Sequence, residues 1–170
     1  MSDPTSDALW IRRAGLEDAS RIADVYLRSR ADALPYLARI HTDDETRSWV
    51  RDVCLQRGEV WVAELSGRIV GFVAVDGEDL DQLYLEPGYY RQRIGTRLLE
   101  KAKALSPSGL HLYVFQRNAR ARAFYEAHGF TLFDLNNGAR NEEGEPDAQY
   151  QWRGALSRRA SGAAIGPEGL

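Results

Sequence analysis

A predicted strand, a glycine-bearing turn and an amphipathic helix follow one another between Asp79 and Leu105, and this order constrains the fold more than any other feature. The strand Asp79–Leu85 stops before Pro87, because proline cannot donate to a strand ladder. Apolar residues then recur on one side of the predicted helix, at Ile94, Leu98, Leu99, Ala102 and Leu105. A strand reached through such a crossover helix pairs in parallel, so residues 110–115 are predicted to run parallel to residues 79–85.

The turn that opens this helix has the chemistry of an anion site. The first turn of a helix leaves backbone N–H groups unpaired and carries a partial positive charge. Gly95 lets a bulky anion approach that backbone, and Arg91 and Arg93 add fixed positive charge. These features predict a phosphate cradle whose natural occupant is a diphosphate.

Composition excludes several classes of protein. A chain of 170 residues suffices for one domain with a core, and a formal net charge of −3 argues against nucleic-acid binding through counterion release. Cys54 is the only cysteine, and the three histidines have no ligand spacing, so neither a disulfide nor a metal site is expected. Without an apolar run of membrane length or a signal-peptide core, the chain is expected to be cytoplasmic and not membrane-bound.

The remaining pattern predicts a single domain over residues 9–154, between flexible ends at residues 1–8 and 155–170. The predicted fold is α/β (α+β), with a mixed, mostly antiparallel central sheet and flanking helices. Three consecutive strands joined by tight turns, over residues 59–65, 68–75 and 79–85, form a meander. Further strands are predicted at 9–13, 130–135 and 148–153, and a further helix at 118–128.

A capping box marks the start of one more helix. Thr42 provides the hydroxyl and Glu45 the carboxylate three residues later. The helix that follows is expected to turn Trp49, Val53 and Cys54 inward.

Three further signals follow the glycine turn in a fixed order: Asn118, then Tyr125 seven residues later, then Gly129-Phe130. With the turn, they make residues 60–133 resemble the GNAT acetyltransferase family. In that family the loop reads Gln/Arg-x-x-Gly-x-Gly/Ala, and its amides hold the pyrophosphate of acetyl-coenzyme A. Anchored on Pro87, the six loop positions fall on Tyr90, Arg91, Gln92, Arg93, Ile94 and Gly95. Tyr90 and Arg93 depart from the pattern, but the backbone amides that bind are retained.

The resemblance implies a splayed parallel strand pair and further contacts with the cofactor. Tyr84 and Leu85 would pair with the pantetheine arm through their backbone, with ordinary sheet residues as the alternative. Thr96 would complete the diphosphate loop. Asn118 would lie near the pantetheine arm, cap the next helix, or do both. Tyr125 would lie near the thioester sulfur and protonate the leaving thiolate, whereas the alternative is a packed core aromatic.

The resemblance also implies a base and an acceptor wall. Asp79 matches the position of the glutamate base in histone-type members, and Asp81 could serve through a water molecule. The alternative for both is a solvated acid at a strand start. His41 and Asp44 precede or begin a helix that commonly forms part of the acceptor wall, and ordinary helix-capping acids are the alternative there.

The expected function is therefore N-acetyl transfer from acetyl-coenzyme A to a primary amine of a small molecule or peptide, by direct attack. Two alternatives remain open at this point: a transferase of a longer acyl group, and a coenzyme-A-binding sensor or scaffold without turnover. The expected partners are acetyl-coenzyme A and an amine acceptor, with no metal, nucleic acid or membrane. A homodimer is also allowed.

Overall fold

A computed structural model describes residues 8–155, in which strands and helices form one mixed sheet flanked by helices. The helices are α1 (Ala19–Ala33), α2 (Asp43–Asp52), α3 (Ile94–Leu105) and α4 (Ala119–Ala127). The strands are β1 (Leu9–Arg13), β2 (Glu59–Leu65), β3 (Arg68–Asp76), β4 (Asp79–Leu85), β5 (Gly109–Phe115), β6 (Thr131–Asn136) and β7 (Asp147–Arg153). Short 3₁₀ turns lie at Leu16–Asp18 and Cys54–Gln56.

Within these residues the sheet has seven strands in the order β1-β2-β3-β4-β5-β7-β6. The predicted meander is confirmed, because β2, β3 and β4 pair antiparallel in sequence order. β5 runs parallel to β4, and the register joins them only at Asp79 and His111. β5 pairs along its whole length with β7 on its other side. The predicted mixed sheet with a splayed parallel pair is therefore confirmed, and the splay opens a gap beyond Asp79.

A β-bulge lies in β4 beside this gap. Ala74 of β3 opposes Gln82, but the next residue, Val75, opposes Leu80, so Asp81 has no partner across the strand pair. Such a bulge bends its strand and re-aims a side chain, and bulges are common next to active sites. Here the bulge turns Asp81 and accompanies the departure of β4 from β5.

The two faces of the sheet carry separate cores. The face covered by α3 and α4 buries residues that include Leu98, Leu99, Leu110, Tyr125 and Tyr150. The face covered by α1 and α2 buries residues that include Ile22, Val25, Val50, Val62 and Phe72. Successive residues of a strand alternate between these two faces. Because β4 and β5 separate beyond Asp79, the opening between them passes through the sheet and connects its two faces.

The capping box of α2 is confirmed: the Thr42 hydroxyl accepts from the Glu45 amide at 3.2 Å, and the Glu45 carboxylate accepts from the Thr42 amide at 2.7 Å. The prediction that Val53 faces inward is wrong, since this side chain is 43% exposed. The helix ends at Asp52 and a 3₁₀ turn follows, which breaks the helical period on which that prediction depended. Cys54 is buried as expected.

Two predictions concern the ends of the chain. Except for residues 8 and 155 themselves, the segments 1–8 and 155–170 that were predicted to be flexible lie outside the described residues. Among residues 8–155, no helix combines the length and the apolar character that crossing a membrane would require.

Candidate active site

The divergence of β4 and β5 opens a cavity of about 530 Å³ that is lined from both faces of the sheet. We call the part formed by the β4–α3 loop, α3 and α4 the loop half; its lining includes Arg91, Arg93, Gly95, Thr96, Asn118, Phe124 and Tyr125. We call the opposite part the α1 half; its lining includes Ser29, Ala33, Leu34, Asp81, Tyr84, Tyr113, Asn141 and Asp147. A molecule entering from one face can therefore meet a molecule entering from the other.

Free backbone amides characterise the loop half. In the described part of the chain, no amide between residues 90 and 96 donates to a backbone or side-chain acceptor outside helix α3, and amides of a first helical turn lack an acceptor within their own helix. Arg91 and Arg93 have left-handed backbones, with φ of 65° and 61°. Alternation of this kind points successive N–H groups into one concavity that suits an anion. The loop therefore has the backbone arrangement of an anion site.

A buried carboxylate holds the start of this loop. Glu86 is 6% exposed and accepts from Arg21 at 3.0 Å and from Arg28 at 2.8 Å, both on α1. Farther along the loop, the Tyr90 hydroxyl donates to Asp32 at 3.3 Å, and the Arg120 guanidinium stacks 4.0 Å from the Tyr90 ring centroid. These contacts join the loop to α1 and α4 and fix the mouth of the cavity.

Gly95 is buried in the first turn of α3. A Cβ atom at this position would lie 3.4 Å from Cζ of Phe124 and 3.5 Å from Cδ1 of Leu85, so alanine fits but a larger side chain would displace the cavity wall. The next residue, Thr96, contacts Nε2 of His128 at 3.0 Å, while Nδ1 of His128 lies 2.7 Å from the Phe124 carbonyl. Because a carbonyl only accepts, Nδ1 carries the hydrogen, and in the neutral imidazole Nε2 then accepts from the Thr96 hydroxyl.

Asn118 caps α4, as predicted: its Oδ1 accepts from the Ala121 amide at 3.2 Å. In residues 8–155 its side-chain NH₂ has no hydrogen-bond partner, and the residue lines the cavity. Asn118 can therefore cap the helix and donate to a ligand with the same amide group. The two readings of this residue are compatible.

Tyr125 lies in the core of the loop half, between the rings of Phe124 and Phe130 at 5.3 and 5.5 Å. Its side chain is only 8% exposed, yet it borders the cavity, and within residues 8–155 its hydroxyl has no hydrogen-bond partner. Burial raises the pKa of Tyr125 above its ordinary value. The phenol is therefore protonated at neutral pH and can donate a proton.

The structure places the two candidate bases differently. Asp81, at the bulge, is exposed like Asp79 but lines the α1 half, and partial desolvation there raises its pKa; Arg57 lowers it, while Asp79 and Asp76 raise it further. A carboxylate with a raised pKa is a stronger base. Asp79 is exposed at the start of β4 and does not line the cavity.

The two predicted acceptor residues lie outside the cavity lining. His41 is exposed, and its Nε2 lies 2.7 Å from a carboxylate oxygen of Glu142, which raises the pKa of the imidazole. Asp44 is exposed in the first turn of α2. Two predicted loop residues are also absent from the lining, Gln92 and the core residue Ile94. Apart from Asp79, the other predicted residues line it: Asp81, Tyr84, Leu85, Tyr90, Arg91, Arg93, Gly95, Thr96, Asn118 and Tyr125.

Sequence reasoning missed most of the α1 half. Ser29 and Ala33 come from α1, Leu34 directly follows α1, and Asn141 and Asp147 come from much later in the chain. The β6–β7 loop reaches this half through ion pairs, with Arg30 to Glu143 at 2.9 Å and Arg117 to Glu145 at 2.6 Å. No local motif marks these residues, because only the tertiary fold brings them together.

Comparisons with known proteins agree with this geometry. A family model described as an acetyltransferase (GNAT) domain matches residues 56–132. The peptidyl-lysine N-acetyltransferase YiaC of Escherichia coli is 31% identical over 125 residues, which cover 73% of this chain and 84% of the relative. The chain belongs to the GNAT family of acetyltransferases. The matched GNAT segment contains residues 90–96, Asn118 and Tyr125, so it covers the loop half almost completely.

Solved structures extend the similarity beyond the segment that the family model matches. The apo solution structure of YjaB from Escherichia coli superposes with a TM-score of 0.72 at 25% identity, covering 87% of this chain and 99% of that one. PaiA N-acetyltransferase of Thermoplasma acidophilum, crystallised with coenzyme A, has a TM-score of 0.67 at 21% identity, over 86% of this chain and 99% of that one. At 21% identity, the similarity to PaiA shows a shared fold.

Proposed function

We propose that this acetyltransferase moves the acetyl group of acetyl-coenzyme A to a primary amine by direct attack within a ternary complex. One observation carries the proposal: a single cavity crosses the sheet, with free amides in the loop half and a base candidate in the α1 half. A covalent acetyl-enzyme needs a reactive nucleophile. Cys54 is a poor candidate, because it is buried and burial raises its pKa to about 11.

The residues of the loop half fit coenzyme A. The amides of residues 90–96, with Arg91 and Arg93 beside them, suit the diphosphate. Beyond Asp79 the backbone of β4 has no partner on β5, so Tyr84 and Leu85 can pair with the amides of the pantetheine arm as an added strand would. Bound acetyl-coenzyme A supplies the activated thioester.

Two side chains and the cavity itself serve the reaction in this proposal. Asp81 takes the proton of the acceptor ammonium, directly or through a water molecule, so that the amine can attack. The cavity holds amine and thioester together, which removes much of the entropic barrier of a bimolecular step. Tyr125 gives a proton to the departing thiolate. The conjugate thiol has an ordinary pKa of about 8.5, so the phenol is the weaker acid and its proton moves only as negative charge develops on sulfur. The nitrogen loses a second proton as the amide forms, and this proton restores the phenol.

The alternatives of a longer acyl group and of a binding module without turnover are not favoured. The relatives that match carry the name N-acetyltransferase, and YiaC is named for peptidyl-lysine. A lysine side chain in a peptide is therefore the first acceptor to test, and small primary amines are the second.

A thermal-shift and turnover experiment tests the proposal. Acetyl-coenzyme A should raise the melting temperature, because it binds only the folded state. Acetyl transfer to lysine peptides and small amines should release free thiol, and mass spectrometry should find the acetyl group on nitrogen. No melting shift with millimolar cofactor would contradict the assignment of the loop half. A shift without thiol release from any amine would contradict transfer. A cytoplasmic location and a homodimer stay predictions.

A further inference from the structure

Asp147 differs from the other buried acids of residues 8–155. Three carboxylate side chains belong to residues less than 9% exposed there: Asp18, Glu86 and Asp147. Asp18 pairs with Arg12 at 2.8 Å, and Glu86 pairs with two arginines of α1. Asp147 is 6% exposed and, among the described residues, forms no ion pair. Its charge is therefore buried without a countercharge.

The partners of Asp147 are neutral. Its Oδ2 accepts from the side-chain amide of Asn141 at 2.9 Å, and its Oδ1 accepts from the side-chain amide of Asn136. Hydrogen bonds to neutral amides orient a carboxylate but do not cancel its charge, and a buried charge is costly unless it is paired. Arg30, which stands 6.0 Å from the centroid of the neighbouring Phe115 ring, forms its ion pair with Glu143 instead.

Asp147 lies where its carboxylate can contact a molecule in the cavity. It begins β7 opposite Phe115, the last residue of β5, and lines the cavity. The next residue, Ala148, lies in the core under α3 and α4, so Asp147 faces the α1 side. The α1 half thus presents two carboxylates to one cavity, Asp81 near the closed end of the strand gap and Asp147 at its open end.

The strand register gives the spacing along the sheet. Asp79 is level with His111, and Asp147 is level with Phe115, four residues farther along β5. Asp81 lies two residues beyond Asp79, so the two cavity carboxylates are offset by about two residues, or roughly 7 Å along the strands. Because β5 lies between β4 and β7, the two carboxylates are also two strand spacings apart across the sheet, about 10 Å. The chain between the two amines has to cover this diagonal separation less the two ammonium–carboxylate contacts of about 3 Å each.

We propose that Asp147 binds a second cationic group of the acceptor, so that preferred acceptors carry a positive charge a short aliphatic chain away from the reacting amine. This inference rests on the proposed function and deepens it. Asp81 serves the amine that reacts, and Asp147 pairs with the amine that does not. A diamine has this chemistry, as does a lysine peptide with a basic neighbour.

Steady-state kinetics with putrescine and n-butylamine test the inference, because the two amines share a carbon chain and differ by one ammonium group. The wild type should prefer putrescine in kcat/KM by about 10–100-fold, the range for a hydrogen-bonded charged group. Asp147→Asn should lose that preference through a higher KM for putrescine. Asp134→Asn, the same substitution at an exposed site on β6, is the matched control and should keep the preference.

A second comparison separates charge from loop anchoring. Asn141→Ala removes one hydrogen bond to Asp147 and two to the backbone of Glu145, so it loosens the loop but keeps the carboxylate of Asp147. The preference for putrescine should therefore survive. If Asp147 only anchors the loop, both variants should lower the melting temperature and slow both amines equally, which would overturn the inference. Lysine peptides with a lysine or an alanine neighbour distinguish a peptide source of the second cation from a free diamine.

The inference can fail separately from the proposed function. Suppose that transfer occurs and that Asp147→Asn keeps the wild-type ratio of kcat/KM for putrescine over butylamine. Asp147 then does not bind the second cationic group, although the enzyme is an N-acetyltransferase. If no amine is acetylated, the inference can still be tested by measuring calorimetrically how putrescine binds to the coenzyme A complex. About tenfold weaker binding in Asp147→Asn than in Asp134→Asn supports the inference, and equal binding overturns it.

Discussion

The loop half and the α1 half of the cavity are built in opposite ways. The loop half comes from one continuous segment and offers mainly backbone amides, held in a strained loop over residues 90–96. The α1 half comes from α1, two strands and the distant β6–β7 loop, and it offers side chains held by ion pairs. Amides persist when side chains change, as Tyr90 and Arg93 illustrate. In the α1 half, by contrast, a substitution removes or replaces the group that contacts the ligand.

The largest expected effect concerns Tyr125, in the loop half. Tyr125→Phe should lower turnover by about 10²–10⁴-fold, the usual range for general acid catalysis, while leaving the affinity for coenzyme A nearly intact. The ring remains, so packing between Phe124 and Phe130 should be preserved. Rapid-quench turnover and calorimetric binding measure the two effects. A variant with the wild-type rate would show that the thiolate takes its proton from elsewhere.

The same residue has a consequence for the pH profile. Burial raises the pKa of Tyr125, and the ordinary value is already about 10. The phenol therefore stays protonated across the assay range, and no alkaline fall in turnover should come from its ionisation below about pH 10. A fall near neutral pH that disappears in Tyr125→Phe would contradict the burial of this hydroxyl.

Asp81 provides the corresponding test of the α1 half. Asp81→Asn should lower turnover by about 10²-fold, the low end for a general base, since water can relay the proton in part. The raised pKa of Asp81 places the acid limb of the wild-type rate above the ordinary value of about 3.9, and the variant should lack that limb. A pH profile of kcat/KM for both proteins measures this.

Asp81→Asn, which should lower turnover, should raise stability at neutral pH. Because the folded state raises the pKa of Asp81, it binds the proton more tightly than the unfolded state does. The free energy of unfolding therefore falls as pH rises through that window. Asp81→Asn should raise the melting temperature at neutral pH and leave it unchanged at pH values where the carboxyl is protonated. A lower melting temperature at neutral pH would contradict the shift.

Gly95 tests the backbone character of the loop half. Gly95→Val should weaken coenzyme A binding by about tenfold or more, because the side chain would press on Phe124 and Leu85 and move the cavity wall. Gly95→Ala, whose methyl group fits at 3.4–3.5 Å, is the matched control and should bind nearly normally. Far-UV circular dichroism confirms folding. Tight binding by a folded valine variant would remove Gly95 from the site.

A smaller effect is expected from the ion pair that holds the β6–β7 loop. Glu143→Gln frees Arg30, so the acceptor KM should rise by about two- to fivefold, with the affinity for coenzyme A unchanged. Asp52→Asn, which breaks an exposed pair with Arg51 elsewhere, is the control. If Glu143→Gln altered cofactor affinity as much as acceptor KM, the two halves would not be separate.

The smallest effect concerns strain at Arg93. Its φ of 61° is a conformation that glycine adopts freely, so Arg93→Gly should be more stable than Arg93→Ala by about 0.5–1 kcal/mol. The two variants lose the same charge, and their difference isolates the backbone. Chemical denaturation measures it. Equal stabilities would mean that the loop relaxes at this residue.

The fold was largely predictable because its signals are local. Alternation and tight turns located the meander, the spacing of Ile94, Leu98 and Leu99 located α3, and the crossover required a parallel strand. Val53 was misplaced because α2 ends one residue earlier, and the helical period ends with it. His41 and Asp44 were placed at the acceptor wall by the resemblance alone, and the structure holds both outside the cavity lining.

By itself, the sequence predicted the antiparallel meander with a parallel strand beside it, the anion-binding character of the loop, and the family. Each of these depends on residues close together in the chain. The tertiary structure alone decided that Asp81 rather than Asp79 lines the cavity, because a bulge is a mismatch between two strands and cannot be read from one. It also decided that Asp147 is buried without a countercharge. Burial and pairing depend on which distant segments fold against a residue, and spacing in the chain does not contain that information.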